Sequence, residues 1–353
     1  MHPGLLGMTS LPLDEFLARA AESPMALAQL AGVFANMGDM ARAREAALRA
    51  IAAAPDDPEI RSRVADVLSD GVPRWHFAIV RDRARNAAYE AALKRAVTSQ
   101  SKVLEIGAGT GILAMMAARA GAERVVSCEM VPAIADAARD IVARNGLAGR
   151  VRVVAKKSYD LDAEIDMGGR ADLLVSEIVS NNMLSEDVLA TVEHAARTLL
   201  RPGAKIIPAR GIVRVALAHD TDLPRLGTID GFDLSPFNRL SRRSHPVGRG
   251  STRLRLLSAP VDLFDFDFQS GGPFPPASVA ETLVSSGGEA NGIAQWIALQ
   301  MDDEGWYENS PCPGTSSAWS VLFWPFLAAR DCPQGTAVIV RASHDRNALR
   351  IWA

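Results

Sequence analysis

The stretch "VLEIGAGTGILAMMAARAG", Val103 to Gly121, decides the fold. Val103–Ile106 reads as a strand, Gly107, Gly109 and Gly111 as a turn, and small or apolar residues at helical spacing begin near Ile112. A strand that passes through glycines into a helix opens a βαβ unit. The glycines permit tight backbone geometry and close approach of a ligand. Alone this is a weak sign, because a dinucleotide fold would place a pyrophosphate on the same helix N-terminus. Two acids narrow the choice. Glu105 lies inside the strand, where it is awkward for a pyrophosphate and suits a cationic ligand or an amino group. "VVSCE" then ends a second strand in Glu129, twenty-four residues after Glu105. A carboxylate at that strand tip can take both hydroxyls of a ribose. Together these features fit a nucleoside ligand and favour S-adenosylmethionine over NAD.

Outward from this unit, the chain of 353 residues divides into three compositional zones. Residues 1–70 are Ala-rich and helical in pattern, with apolar positions at Leu27, Leu30, Ala31 and Phe34, a break at Gly38, and small residues at Ala43, Ala47 and Ala50. Two closely approaching antiparallel helices are expected, like one tetratricopeptide repeat, with a further helix near Pro58 to Leu68. Such a repeat would offer a groove to a protein partner; the plainer alternative is a helical cap. Residues 71–207 alternate strand-length apolar runs with helical stretches, so an α/β parallel sheet is expected. In residues 208–353 Pro, Gly and Ser rise and short runs alternate polar with apolar, as in the antiparallel strands of a β-barrel or sandwich. Phe264, Phe266 and Phe268 are expected on the core face of one strand.

The formal net charge of −3 gives no electrostatic reason to expect nucleic acid. No window has eighteen apolar residues free of charge, and Met1 to Ser10 lacks the pattern of a signal peptide, so a cytoplasmic protein without a membrane span is expected. Cys128, Cys312 and Cys332 are scattered, which fits neither a disulfide framework nor a zinc site.

Upstream of the glycine loop, "RWHFAIVRDRARNAAYEAALKRAV" reads as an amphipathic helix behind an aromatic cluster. Arg85 is placed to reach an anionic group, with Asp82 at i+3 spacing to orient it. Downstream, "SEIVSNNMLSE" carries Glu177 at the end of an apolar run and Glu186 nine residues on. On a helix that interval turns about 900°, and on a strand an odd interval puts the side chains on opposite faces. The two acids can work together only if a loop folds one back toward the other.

These parts together resemble the protein arginine methyltransferase family. "VLEIGAGTGILAMMAARAGA" is similar to its cofactor motif, "SCE" to its strand-tip acid, "SEIVSNNMLSE" to its double-glutamate loop and "IIPARG" to the entry of its β-barrel. The resemblance runs from about residue 73 to the C-terminus. "WHFAIVRDRARNAAY", "GFDLSPFN" and "SAPVDLFDFDF" look most like the branch of mono- and symmetric-dimethylating enzymes, one type of which carries N-terminal tetratricopeptide repeats. The resemblance implies a Rossmann-like sheet followed by a β-barrel, with S-adenosylmethionine as cofactor and arginine in a peptide or protein as substrate. Glu177 and Glu186 would be the catalytic pair that grips the guanidinium. Arg85 would take the methionine carboxylate, Glu105, Gly107, Gly109 and Gly111 would line the cofactor, Glu129 would take the ribose, and Lys157 and Ser158 would lie near the adenine. No metal is implied.

Near the C-terminus the family's Thr-His-Trp loop is matched by "SSAW", Ser316 to Trp319, with Trp319 kept in the substrate loop and Ala318 standing where His would be. The Ala side chain cannot hydrogen-bond a carboxylate, so a catalytically weak or inactive binding protein is one alternative; His344 reads either as a surface histidine or as a substitute for the imidazole. A methyltransferase for another protein amine is a second alternative, against which Ser176-Glu177-Ile178 stands where an Asn-Pro pair would be expected. "FNRLSRRSHPVGRGSTRLR" contains Arg239, Arg242, Arg243, Arg249, Arg253 and Arg255 with no acid, and reads as a solvated loop or a subunit contact. A homodimer and a monomer are both open.

Overall fold

A computed structural model describes residues 23–248, 251–312 and 317–353; Arg249 and Ser316 lie outside the described residues. Two compact units divide at Pro73 and Arg74.

In the first unit three helices follow one another: α1 (Pro24–Asn36), α2 (Met40–Ala53) and α3 (Pro58–Ser69). Each begins where an oxygen-bearing side chain, Ser23, Asp39 or Asp57, accepts a backbone N–H of the first turn. Gly38, at φ +79°, takes the left-handed step between α1 and α2. Ala31, Ala43, Ala47 and Ala50 are buried with Phe34, Ile60 and Val64, so small residues let the helices pack closely.

The second unit starts with a short helix, α4 (Trp75–Ile79), and a longer one, α5 (Arg83–Ala96). This corrects the single helix expected over this stretch. The physical reason is Asp82, whose backbone is extended and whose Oδ1 accepts the Arg85 N–H at 2.9 Å, making it the N-cap of α5.

A five-stranded parallel sheet follows, built from β1 (Lys102–Ile106), β2 (Arg124–Cys128), β3 (Val151–Val154), β4 (Ala171–Ser176) and β5 (Leu200–Ile207), in the order β3-β2-β1-β4-β5. Helices α6 (Ile112–Arg119), α7 (Pro132–Arg144) and α8 (Val188–Thr198) connect and cover the strands. Ile106 pairs with both Cys128 and Ser176, so β1, β2 and β4 end at one level. The strand order reverses between β1 and β4, and ligands of such sheets bind beyond the carboxyl ends at that point.

Among the described residues, twelve antiparallel strands complete the unit: β6 (Arg210–Asp220), β7 (Thr228–Ile229), β8 (Phe232–Asp233), β9 (His245–Val247), β10 (Leu254–Leu256), β11 (Val261–Asp267), β12 (Ala277–Val284), β13 (Glu289–Gln300), β14 (Trp306–Glu308), β15 (Val321–Asp331), β16 (Ala337–His344) and β17 (Leu349–Trp352). Seven of these form one sheet along β10-β6-β13-β15-β9 with β11 on β6 and β14 on β13, and β12-β16-β17 form another, giving a barrel-like half. The α/β class with an antiparallel second half is as expected from the sequence. Phe264, Phe266 and Phe268 are core residues with rings stacked in series, but Phe268 has left the strand for a 3₁₀ turn. His344 is buried against Phe264 and Phe266, a core histidine and no substitute for an imidazole at 318. The arginine-rich stretch is not free of acids in space: Arg253 pairs with the buried Asp220 and with Asp222. No helix among the described residues is long and apolar enough to cross a membrane.

Candidate functional site

The site lies at the carboxyl ends of β1, β2 and β4. Gly107, Glu129 and Glu177 are the first residues beyond those three ends. Gly107, Gly109 and Gly111 all have positive φ, at +83°, +52° and +75°, so the loop depends on residues without a Cβ. At Gly107 a Cβ would also lie 2.7 Å from Ile178 Cγ2, so glycine is what lets the glutamate loop approach the glycine loop. Glu129 is nearly fully buried, and its carboxylate accepts the N–H groups of Gly109 at 3.1 Å and Val131 at 2.9 Å. His76 on α4 stacks on Trp75 and stands over Gly109, and burial holds its pKa below the ordinary value. His76 was not singled out from the sequence; its signal was the aromatic cluster ahead of α5.

Glu105 faces inward. Its carboxyl accepts the Ala114 N–H of α6 at 3.2 Å and the hydroxyl of Ser127, and burial pushes its pKa up to about 8. Both oxygens are engaged beneath the glycine loop, so it braces the loop rather than presenting an acid to a cationic ligand. Lys157, exposed, and Ser158, buried, lead from β3 into a 3₁₀ turn at the same edge of the sheet.

The loop after β4 turns back on itself. Ser180 and Met183 form an antiparallel bridge, and the Met183 N–H donates to the Ser180 carbonyl at 2.8 Å. Asn182 Oδ1 accepts from the Ser180 hydroxyl at 2.6 Å and from the Leu184 N–H at 3.0 Å. Met183 and Leu184 are fully buried and pin the turn. This side-chain-built reversal is what the nine-residue interval requires. Glu186 returns close enough that its charge raises the pKa of Glu177.

The two acids differ. The Glu177 side chain is 7% exposed and bonds Arg85 Nη2 at 3.0 Å, the arginine being 3% exposed. Burial, opposed by Arg85 and reinforced by Glu186, pushes the Glu177 pKa up to about 8. Glu186 keeps an exposed side chain, although the protein packed about it raises its pKa as well. Arg85 is thus beside Glu177, with Nη1 on Asn86 Oδ1 at 2.7 Å and its ring-facing side over Tyr89. Asp82 steers it through the helix N-terminus and not through the guanidinium. Arg85 Nε is buried without a partner, an unsatisfied donor that an incoming carboxylate would complete.

The antiparallel half holds the loop from behind. Trp319 Nε1 donates to the Val179 carbonyl at 2.9 Å, the Ser320 N–H to Asn181 Oδ1 at 2.9 Å, and Gln295 Nε2 to the Asn181 carbonyl at 3.1 Å. Trp319 therefore buttresses the loop between Glu177 and Glu186. Asn181 and Gln295, which sequence reasoning passed over, share that work.

A family model described as ribosomal protein L11 methyltransferase (PrmA) matches residues 90–215, the region of the parallel sheet. An arginine N(omega)-methyltransferase of Streptomyces achromogenes subsp. streptozoticus is 36% identical over 302 residues, covering 83% of this chain and 83% of that protein. Protein arginine N-methyltransferase 7 of Oryza sativa subsp. japonica is 33% identical over 316 residues, covering 78% of this chain and 44% of that one, so the chain spans less than half of this plant relative. Among solved structures, the Trypanosoma brucei PRMT1 enzyme–prozyme heterotetramer with AdoHcy superposes with a TM-score of 0.69 at 22% identity, over 80% of this chain and 93% of that one.

Proposed function

The chain belongs to the arginine N-methyltransferase family, and on that premise we propose that it transfers a methyl group from S-adenosylmethionine to a guanidinium nitrogen of arginine in a peptide or protein. The observation that carries this reading is the return of Glu186 toward Glu177 beside the glycine loop, at the point where the strand order reverses. A guanidinium is planar, permanently charged and carries five donors. Two carboxylates can accept them in forked geometry. They also draw positive charge away from the attacked nitrogen and leave its lone pair free.

The chain's own groups fit the cofactor. The glycine loop leaves room for close approach, Glu129 stands at the strand tip for the ribose, His76 covers the loop, and the unsatisfied Arg85 Nε faces the demand for a carboxylate. Bound there, S-adenosylmethionine supplies an electrophilic methyl on a sulfonium. Methyl transfer needs an in-line approach, so the work left to the protein is orientation and electrostatics. Glu177 and Arg85 are held by burial and by the Asp82 cap, and the loop by Trp319, Gln295 and Ser320.

The Streptomyces relative is named an arginine, not a protein arginine, N-methyltransferase, and this favours a second reading in which free arginine is the acceptor. Supplying labelled cofactor with arginine peptides and with free arginine separates the two. Label on the peptides supports the first reading, label on free arginine alone replaces it with the second, and label on neither removes both.

Glu129→Ala is expected to weaken S-adenosylhomocysteine binding by about 1–3 kcal/mol, the cost of unpaired ribose hydroxyls together with a released Gly109 N–H. Isothermal calorimetry checks it, and an unchanged affinity would place the ribose elsewhere.

A pH dependence follows from Glu177. Its carboxyl is raised to about 8, so protonation persists above the usual carboxylate range and ionisation accompanies rising pH. Recognition of a cation needs the ionised form. Hence kcat/KM for the arginine substrate should climb between about pH 6 and 9 and then level, whereas kcat should be flatter because a bound guanidinium pulls the pKa back down. A kcat/KM that is flat or falls across this range would show that Glu177 is already ionised or takes no part.

A further inference from the structure

We propose that Tyr307 is a positioning residue for the substrate clamp, acting through Asp82 to hold the Arg85–Glu177 pair in place; this rests on the methyltransferase reading above. Tyr307 lies on β14, and its hydroxyl is 2.6 Å from Asp82 Oδ2 and 2.6 Å from Ser317 Oγ. A phenol has one proton, and an ionised carboxylate can only accept. The proton therefore goes to Asp82, and the Ser317 hydroxyl donates back to the phenol oxygen. Ser317 Oγ in turn accepts the Trp319 N–H at 3.1 Å. Asp82 Oδ2 also takes the Ala318 N–H at 2.7 Å, so the carboxylate is gripped from the antiparallel half by two donors. Its other oxygen, Oδ1, takes the Arg85 N–H.

The result is one hydrogen-bonded line from the Trp319 loop through Ser317, Tyr307 and Asp82 to the first turn of α5, whose Arg85 side chain meets Glu177. Asp82, Tyr307 and Ser317 are all buried, so each bond acts in a low-dielectric setting where losing a partner is costly. The ring of Tyr307 packs edge-on against Trp319, which fixes the hydroxyl's direction. This line also answers the alanine at position 318. The backbone N–H of Ala318 and the Tyr307 hydroxyl, 225 residues from Asp82 in sequence, together supply the donors that the side chain at 318 lacks. Burial raises the Tyr307 pKa, which keeps the phenol a neutral donor throughout the working range.

Tyr307→Phe removes the hydroxyl and keeps the ring. It is expected to lower kcat/KM for the methyl acceptor by about 10- to 100-fold, the worth of one charge-assisted buried hydrogen bond, while S-adenosylhomocysteine affinity, which draws on Arg85 but not on Glu177, falls by less, at most about 5-fold. Adding Ala318→His, whose imidazole starts beside Asp82 Oδ2, is expected to restore much of the loss. Hydrogen exchange gives a readout independent of turnover: in Tyr307→Phe, amides of residues 177–186 should exchange about 10-fold faster while those of β1 and α6 do not change. Wild-type kcat/KM or wild-type exchange in Tyr307→Phe overturns the proposal, as does a loss shared equally by cofactor affinity and β1 protection. A folded double variant with no recovery overturns it too. If Tyr307→Phe does not fold, Ser317→Ala, which removes the donor to the phenol oxygen and the acceptor of the Trp319 N–H and so breaks the same line, is read in the same way. The arginine reading fails separately, when the wild-type protein labels another acceptor; the Tyr307 comparison then uses that acceptor or exchange alone.

Discussion

Glu186→Gln should lower kcat/KM for an arginine substrate by about 10²- to 10³-fold, the scale of removing one preorganised electrostatic contact from a reacting centre. Affinity for S-adenosylhomocysteine should be unchanged. The amide keeps the size of the carboxylate and removes its charge. Among the described residues Glu186 has no ion-pair partner within the protein and an exposed side chain, so the substitution leaves no buried charge behind. Steady-state kinetics with calorimetry on the same preparation checks both halves. Glu177→Gln should lose as much activity, but it is the less clean experiment. Above about pH 8, where Glu177 is ionised, it strips the buried Arg85 of its counter-charge, and a lower melting temperature would accompany the lost turnover. Equal loss of cofactor binding in Glu186→Gln would instead mark that residue as structural.

Arg85→Met should destabilise the second unit by about 3–5 kcal/mol, the range measured when one member of a buried ion pair is removed, and should weaken cofactor binding as well. The pair is well enclosed, with side chains 3% and 7% exposed, so solvent screening does little to soften the loss. Glu177 can evade part of it by keeping its proton. Arg85 now lowers the Glu177 pKa, so removing it raises that pKa further above the unfolded value. A group raised in the folded state loses stability as pH rises through its folded pKa. The destabilisation should therefore be greater at pH 9 than at pH 6. Thermal melts at the two pH values test this, and Arg85→Met with Glu177→Gln should recover much of the loss in a double-mutant cycle. A loss that is small and independent of pH would mean that Glu177 keeps its proton beside Arg85 across this range.

The parts of the site that could be read in the sequence are those whose chemistry is written locally. The glycine loop announces itself because strand, turn and helix are contiguous from Lys102 to Arg119. The double-glutamate reversal could be inferred because nine residues exclude both regular structures, and Ser180, Asn182 and Met183 supply the turn. Partnerships made across the fold were not legible. Nothing near Asp82 in sequence indicates that it caps α5 while meeting Tyr307, nor that Arg85 turns to Glu177, 92 residues away. Glu105 was read by position in its strand, but which way the carboxyl turns depends on Ser127 of β2 and Ala114 of α6. Arg253 looked unpaired because Asp220 and Asp222 belong to the end of β6 and the turn after it. β9, β12 and β14 carry little local signal because they are short, exposed or rich in small polar residues, and pairing with β15, β16 and β13 is what orders them.

The most direct measurement is to supply methyl-labelled S-adenosylmethionine with a peptide that contains one arginine and one lysine, and to locate the label after hydrolysis. Label recovered as methylarginine, and absent from a parallel reaction with Glu186→Gln, is the result expected from a guanidinium clamp. Label on the lysine or the peptide's amino terminus, with arginine untouched, would contradict it.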